Sequence, residues 1–170
     1  MKTMRIIGID PGYAIVGYGL VDYAGNRFRT VDYGAVTTNS GTPFELRLEA
    51  VYNGLAAVIE QYKPNAMAIE KLFFTTNQKT AIDVAQARGV IQLCAVKHGV
   101  RLFEYTPLQV KQSVTGYGKA DKNQVQQMTK MLLGLDSVPK PDDTADALAI
   151  AICHAHTAGS SISAYSQLRK

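Results

Sequence analysis

The sequence predicts an α/β domain: a mixed five-stranded sheet, its first three strands antiparallel, with helices on its faces. Two observations carry this. Three β-rich runs follow one another near the start, separated by tight turn signals. From Pro43 onward, stretches of helical spacing alternate with short apolar strand patterns, giving the order βββαβαβααα.

The first run, Met4 to Asp10 (MRIIGID), is apolar and is stopped by Asp10-Pro11-Gly12. Ala14 to Tyr23 and Phe28 to Thr38 are β-rich, and Ala24-Gly25-Asn26 between them reads as a hairpin turn. Pro43 to Tyr62 has helical spacing, with Leu46, Leu48, Val51, Tyr52, Leu55, Val58, Ile59 and Tyr62 apolar, and Pro64-Asn65 ends it. Ala66 to Phe74 (AMAIEKLFF) reads as a buried strand interrupted by Glu70. A helix from about Lys79 to His98 stops at Gly99, and Val100 to Tyr105 is the fifth strand. Pro107 opens a short helix. After the loop Gly116-Tyr117-Gly118-Lys119, Asp121 caps a helix that Gly134 ends. A last, nearly all-apolar helix is expected from about Thr144 to His156. With no repeat and no linker, residues 1–157 are expected to form one domain and 158–170 a flexible tail.

Composition narrows the function classes. Hydrophobic residues make up 46% and charged residues 19%, which excludes a disordered chain. No run of about 18 apolar residues occurs to span a membrane. The opening MKTMRIIGIDPG reaches glycine and aspartate before a signal-peptide core forms, which predicts a cytoplasmic location. Cys94 and Cys153 are far apart and outside any C-x-x-C pair, so neither a disulfide framework nor a thiolate zinc site is expected. The charge of +4 and pI near 9.0 favour a polyanionic partner without proving one.

Four acidic residues stand where an ordinary core would not place them. Asp10 ends the first strand, Glu70 interrupts an apolar one, and Asp143 and Asp146 are three apart at the start of the last helix, on one face. Asp142, about a quarter-turn away, is read as a helix starter. Each has a simpler reading: Asp10 as a turn former, Asp143 and Asp146 as favourable charges at a helix N-terminus. Together they are harder to dismiss, because burying one unpaired carboxylate costs several kcal/mol and clustering adds repulsion. These segments supply only Lys71 nearby as compensation. An all-oxygen donor set suits magnesium or manganese. Two such ions, roughly 3.5–4 Å apart, would clamp the attacking and leaving oxygens of a phosphodiester.

The segments IGIDPG (7–12), AIEKLFF (68–74) and DDTADALAIAICHAH (142–156) resemble the RuvC family of crossover junction endodeoxyribonucleases. AQARGVIQL (85–93) and QVKQSVTGYGKADKNQVQ (109–126) extend the match, which runs in order from about residue 4 to 157. The resemblance implies an RNase H-like fold, a homodimer and two Mg2+ ions per active site, with Mn2+ as a substitute. It implies paired nicking of Holliday junctions at short thymine-containing sequences. By position, its catalytic and metal-binding carboxylates fall on Asp10, Glu70, Asp143 and Asp146; some members carry histidine at the third place, where this chain has Asp143. The family's aromatic that acts on bases at the junction centre matches Phe73, and its basic residues match Lys111 and Lys122. Lys122 is then expected to offset charge at the phosphate, with Lys119 in the same loop as the other candidate. A partnership with the RuvAB branch-migration complex is also suggested.

Away from the carboxylates, the stripe Ala81, Ala85, Gly89 and Leu93 suits close helix packing, and part of this helix is expected to make the dimer contact that symmetric cleavage of a four-way DNA junction requires. Of Phe73 and Phe74, alternation puts one in the core. An exposed partner could stack on an unpaired base for about 1–3 kcal/mol. If six lysines and arginines met phosphates, log affinity would fall with log salt at a slope near about −5. His154 and His156, at i and i+2, point apart and do not form a zinc site. Actin-like and sugar-kinase ATPases share a G-I-D-x-G opening but enclose nucleotide with a second lobe, for which 170 residues leave no room. YqgF-type nucleases share the opening as well, but 85–93 and 109–126 favour the junction enzymes. A junction binder without cleavage is disfavoured by the carboxylates, which repel phosphate unless metal is bound.

Overall fold

The computed structural model describes residues 3–71 and 78–167, with side chains over 3–71 and 80–159. The chain runs β1 (Met4–Asp10), β2 (Ile15–Ala24), β3 (Arg27–Thr37), α1 (Phe44–Tyr62), β4 (Ala66–Glu70), α2 (Gln78–Lys97), β5 (Arg101–Tyr105), α3 (Pro107–Thr115), α4 (Lys122–Leu133) and α5 (Asp142–Gln167). The sheet order is β3-β2-β1-β4-β5. The β1–β2 and β2–β3 pairs are antiparallel, and β1–β4 and β4–β5 are parallel. The sequence reading predicts this architecture element for element.

Local chemistry explains most of the boundaries. Gly25 and Asn26 both take positive φ, 56° and 60°, as a two-residue hairpin with the strands' own twist requires. Thr106 and Asp121 each form a capping box, with Gln109 and Gln124, at the starts of α3 and α4. Gly116 and Gly134 close the same helices in the left-handed conformation.

Alternation divides the sheet into two faces. Ile7, Ile9, Val16, Leu20, Met67 and Ile69 pack with Val51, Leu55 and Ile59 of α1 and Ile91, Cys94 and Ala95 of α2. On the other face Ile6, Val21 and Ala68 meet α5 through Leu148, Ile150 and Ile152, with Val110, Val114 and Val125 of α3 and α4. Both cysteines are buried and unpaired, and burial pushes each thiol up to about 11, so they act as small apolar side chains.

Two boundaries differ from expectation. Strand β4 runs to Glu70, level with the ends of β1 and β5 at Asp10 and Tyr105, and Lys71 is no longer strand; the rest of the expected run, 72–74, lies outside the described residues. The stretch from Ala158, expected as a loose tail, continues α5 as far as Gln167. Gly159-Ser160-Ser161 lowers helix propensity, yet each added residue extends a helix already nucleated by the buried segment before it. Among the described residues no helix is long and apolar enough to cross a membrane.

Candidate active site

The parallel strands deliver two of the carboxylates. Ile9 pairs with Ile69, and extending that register by one step puts the ends of the two strands, Asp10 and Glu70, side by side; the Glu70 charge is felt at Asp10. Ile6 and Ala68 belong to the α5 face, so alternation turns Asp10 and Glu70 to that same face. Helix α5 brings the other pair, Asp143 and Asp146, on its first turns.

What carries α5 close enough is a glycine track that the sequence reading missed. A Cβ on Gly8 would overlap the carbonyl oxygen of Ala147, and one on Gly17 the carbonyl oxygen of Asp143. Gly17 is the register partner of Asp10, and Gly8 that of Gly19, where a Cβ would strike Leu148. Helix backbone therefore rests directly on strand backbone, with no side-chain layer between. Thr144, fully buried, adds a hydrogen bond from its hydroxyl to the Gly34 carbonyl at 3.1 Å. The signal in the sequence was G-x-G spacing within strands, which marks close backbone approach.

The electrostatics show four acids in one field. Burial first, then the charges of Asp146, Glu70 and Asp143, push the Asp10 carboxyl up to about 8. Burial and Asp146 also raise Glu70, while Lys111 opposes the rise. Asp146 is raised by burial, against a hydrogen bond and charge from Lys122. The Lys122 ammonium lies 3.1 Å from Asp146 and 3.6 Å from Asp142. Asp142 is also held by Lys140 at 2.6 Å, which with the nearby lysine charge keeps its carboxyl below the usual range. This fits a helix starter better than a ligand.

A cleft of about 200 Å³ opens beside the acids, lined by Glu70, Lys111, Lys122 and Asp146 over a floor that includes Val110 and Ala149. The structure thus joins Lys111 and Lys122 to the carboxylates. Lys119 is exposed in the loop before α4 and does not line the cleft. Phe73 and Phe74 lie outside the described residues. His154 bonds the Tyr105 hydroxyl at 2.7 Å and packs on Phe103, and burial pulls its imidazole down to about 4. His156 meets Ser113 instead, so the two histidines share no ligand.

Among the described residues, no three acidic, histidine or cysteine side chains stand close enough to enclose a metal ion as they are posed. The donor chemistry nonetheless fits a divalent ion. All the donors are carboxylate oxygens, three of the acids are held above their ordinary range by burial and each other, and among the described lysines only Lys111 and Lys122 oppose that repulsion.

Comparison with known proteins agrees with this geometry. The family model for crossover junction endodeoxyribonuclease RuvC matches residues 6–154. The RuvC of Alkaliphilus oremlandii is 60% identical over 154 residues, covering 91% of this chain and 94% of that protein. The RuvC of Caldanaerobacter subterraneus is 55% identical over 91% of this chain and 93% of its own length. Thermus thermophilus RuvC superposes with a TM-score of 0.87 at 35% identity, over 93% of this chain and 97% of that one. The same protein in complex with a Holliday junction substrate gives 0.87 at 35% identity, over 91% of this chain and 94% of that one. The yeast mitochondrial resolvase Ydc2 shares the fold, with a TM-score of 0.67 at 15% identity over 90% of this chain and 78% of its own. An RNase H-like sheet, a cluster of half-buried acids and a match over most of the chain place this protein in the RuvC family of crossover junction endodeoxyribonucleases, metal-dependent nucleases.

Proposed function

We propose that this chain resolves four-way DNA junctions as a homodimer, hydrolysing one phosphodiester in each of two strands of like polarity. The observation that carries the reading is the gathering of Asp10, Glu70, Asp143 and Asp146 from β1, β4 and α5 into one mutually repelling group. No folding advantage accounts for that arrangement; ligation of Mg2+, two ions per site with Mn2+ able to replace them, does. The Thermus relative bound to a Holliday junction supports the substrate.

In this reading the four carboxylates hold the ions. Bound there, a pair of divalent ions supplies Lewis-acid charge on both sides of the scissile phosphate. The chain's own side chains do the rest. Lys111 and Lys122 line the cleft and bring positive charge to the phosphate. Lys122 must leave Asp146 to do so, and its exposed position leaves it room. Val110, Val125 and Ala149 wall the cleft's inner side and limit water there. Phe73, three residues after Glu70 in the sequence, stacks on a base at the opened junction centre, and Lys119 contacts DNA from the loop.

The second copy docks through α2. Among its described exposed positions, Ile82, Gln86, Gly89, Leu93 and Val96 form a stripe at alternating spacings of four and three. Ile82, Leu93 and Val96 are 61%, 52% and 70% exposed, more than solvent contact alone would favour. The stripe retains Gly89 and Leu93 of the sequence reading and replaces Ala81 and Ala85, which are half-buried. A partnership with the RuvAB branch-migration complex follows from the same family assignment.

The test is a labelled synthetic junction with a mobile, thymine-rich core. The comparisons are Mg2+ against chelator, a linear duplex of matching sequence, and Asp10→Asn. Paired symmetric nicks only with junction, Mg2+ and intact Asp10 are expected. Equal cutting of every substrate would remove junction selectivity, and binding without cutting in Mg2+ or Mn2+ would overturn the metal-site reading.

A further inference from the structure

The two sheet faces give Glu70 a support that nothing in the substrate cleft provides. Glu70 turns to the α5 face, while Met67 and Ile69 of the same strand turn to the α1–α2 face. On β5, Phe103 and Tyr105 face α5, so Glu104 lies on the α2 side of the sheet. There it meets Arg88 of α2, whose Nη2 donates to Glu104 Oε1 at 2.5 Å. Arg88 Nε donates to the main-chain carbonyl of Glu70 at 3.3 Å. Gln92, one turn along α2, donates to the same Glu104 oxygen at 3.1 Å.

This contact sits where the sheet's own support runs out. Among the described residues the last ladder bond at this end of β4 is from Lys71 N–H to the Tyr105 carbonyl, at 2.8 Å. Among the described residues the register of β4 ends at Glu70, opposite Tyr105. The Arg88 side chain is only 14% exposed, and a guanidinium that far from water is retained only where partners hold it. A planar fork can serve a carbonyl and a carboxylate at once, which a lysine ammonium on a flexible stem does less well.

We propose that Arg88, braced by Glu104, is a positioning residue: it fixes the backbone of Glu70 from behind the sheet and so sets where the Glu70 carboxylate presents its oxygens to divalent metal. This rests on the reading of Glu70 as a metal ligand. Arg88 touches neither substrate nor metal, and it does not line the cleft. Outer supports of a ligand change metal affinity or activity by about 10–100-fold when removed. Because Gly89 is the next residue on α2 and lies on the exposed stripe, the brace also joins the proposed dimer helix to the acid cluster.

The experiment uses the full chain with Arg88→Gln, Arg88→Lys, Glu104→Gln and Glu70→Gln. Calorimetry measures Mn2+ binding, and junction nicking is titrated with Mg2+ to separate the half-saturating concentration from the maximal rate. Sedimentation and junction binding in chelator serve as controls. Arg88→Gln should weaken Mn2+ binding about tenfold or more and raise the half-saturating Mg2+ in step, with assembly and metal-free junction binding within twofold. Arg88→Lys and Glu104→Gln should shift the same quantities less. Unchanged Mn2+ binding and Mg2+ requirement in all three, whatever their melting temperatures, would overturn the proposal. The failure of the underlying reading looks different: Glu70→Gln would itself bind Mn2+ and nick like wild type. A wild-type Arg88→Gln beside an inactive Glu70→Gln sinks the brace alone.

Discussion

Replacing Asp10 with asparagine should make the metal-free protein more stable, and the gain should grow with pH. The Asp10 carboxyl is raised from 3.8 to about 8, by burial first and then by Asp146, Glu70 and Asp143. Below 3.8 the group is protonated in both folded and unfolded chains, and its ionisation costs folding nothing. Between 3.8 and about 8 the unfolded chain has released the proton and the folded one retains it. Stability is therefore lost as pH rises across that window, by about 1.4 kcal/mol per unit, and levels off above it. The ceiling on the cost at alkaline pH is about 6 kcal/mol on this arithmetic.

Asparagine keeps the volume and removes the charge, but leaves a buried amide with partners to find, at about 1–3 kcal/mol. The expected net gain at pH 8.5 in chelator is about 3 kcal/mol, or a melting rise of about 6–12 °C for a chain of this size. At pH 5 the gain should be small. Divalent ion should reverse the order, since a ligand at 100 times its Kd stabilises the wild type by about 2.7 kcal/mol and the variant has lost a donor. Thermal melts of both proteins at pH 5, 7 and 8.5, in chelator and in Mn2+, read all of this. A variant no more stable than wild type at pH 8.5 in chelator, or a wild type whose stability rises from pH 5 to 8.5, would refute the reasoning.

Gly17→Ala should cost about 2–4 kcal/mol in chemical denaturation and abolish nicking even where the protein folds, because the new methyl meets the Asp143 carbonyl and lifts the start of α5 away from Asp10. Lys122→Gln should lower the rate of nicking about 10²–10³-fold in single-turnover assays at saturating Mg2+, with junction affinity changed less than tenfold. Leu93→Glu with Val96→Glu should shift sedimentation to a monomer, and the products from paired nicks to single ones.

The residues most legible in the sequence were those whose local chemistry decides their structure. Asp10-Pro11-Gly12, Gly25-Asn26, Gly116 and Gly134 mark ends that the structure keeps, and the capping boxes at Thr106 and Asp121 need only their own neighbours. The acids were legible because they break an apolar pattern, Glu70 most plainly. What stayed hidden depends on contacts between distant segments. Gly8 and Gly17 read as ordinary strand glycines until α5 lies on them. Arg88 reads as a solvated helix cation until Glu70 and Glu104, 18 and 16 residues away, come within its reach. The α2 stripe was set too rigidly at spacing four, whereas a helix of 3.6 residues per turn keeps one face outward through alternating fours and threes.

The charge count at the cleft connects metal, substrate and order of events. With all four carboxylates ionised, Lys111 and Lys122 leave two negative charges uncompensated beside a space walled by Val110, Val125 and Ala149. A phosphodiester brought there meets repulsion, weakly screened because the acids are partly buried. On the proposed reading one divalent ion would bring the group to neutrality, and a second would make it attractive to a polyanion. The acids that make the empty cleft hostile to DNA are thus the ones that make the loaded cleft a trap for it. On the proposed reading Lys122 would belong to both states: without metal it compensates Asp146 at 3.1 Å, and ligation of that carboxylate would free its ammonium for the phosphate. Coupling metal loading to substrate capture in this way needs no moving domain. It requires only that α5 lie flat on Gly8 and Gly17, so that Asp143 and Asp146 share one field with Asp10.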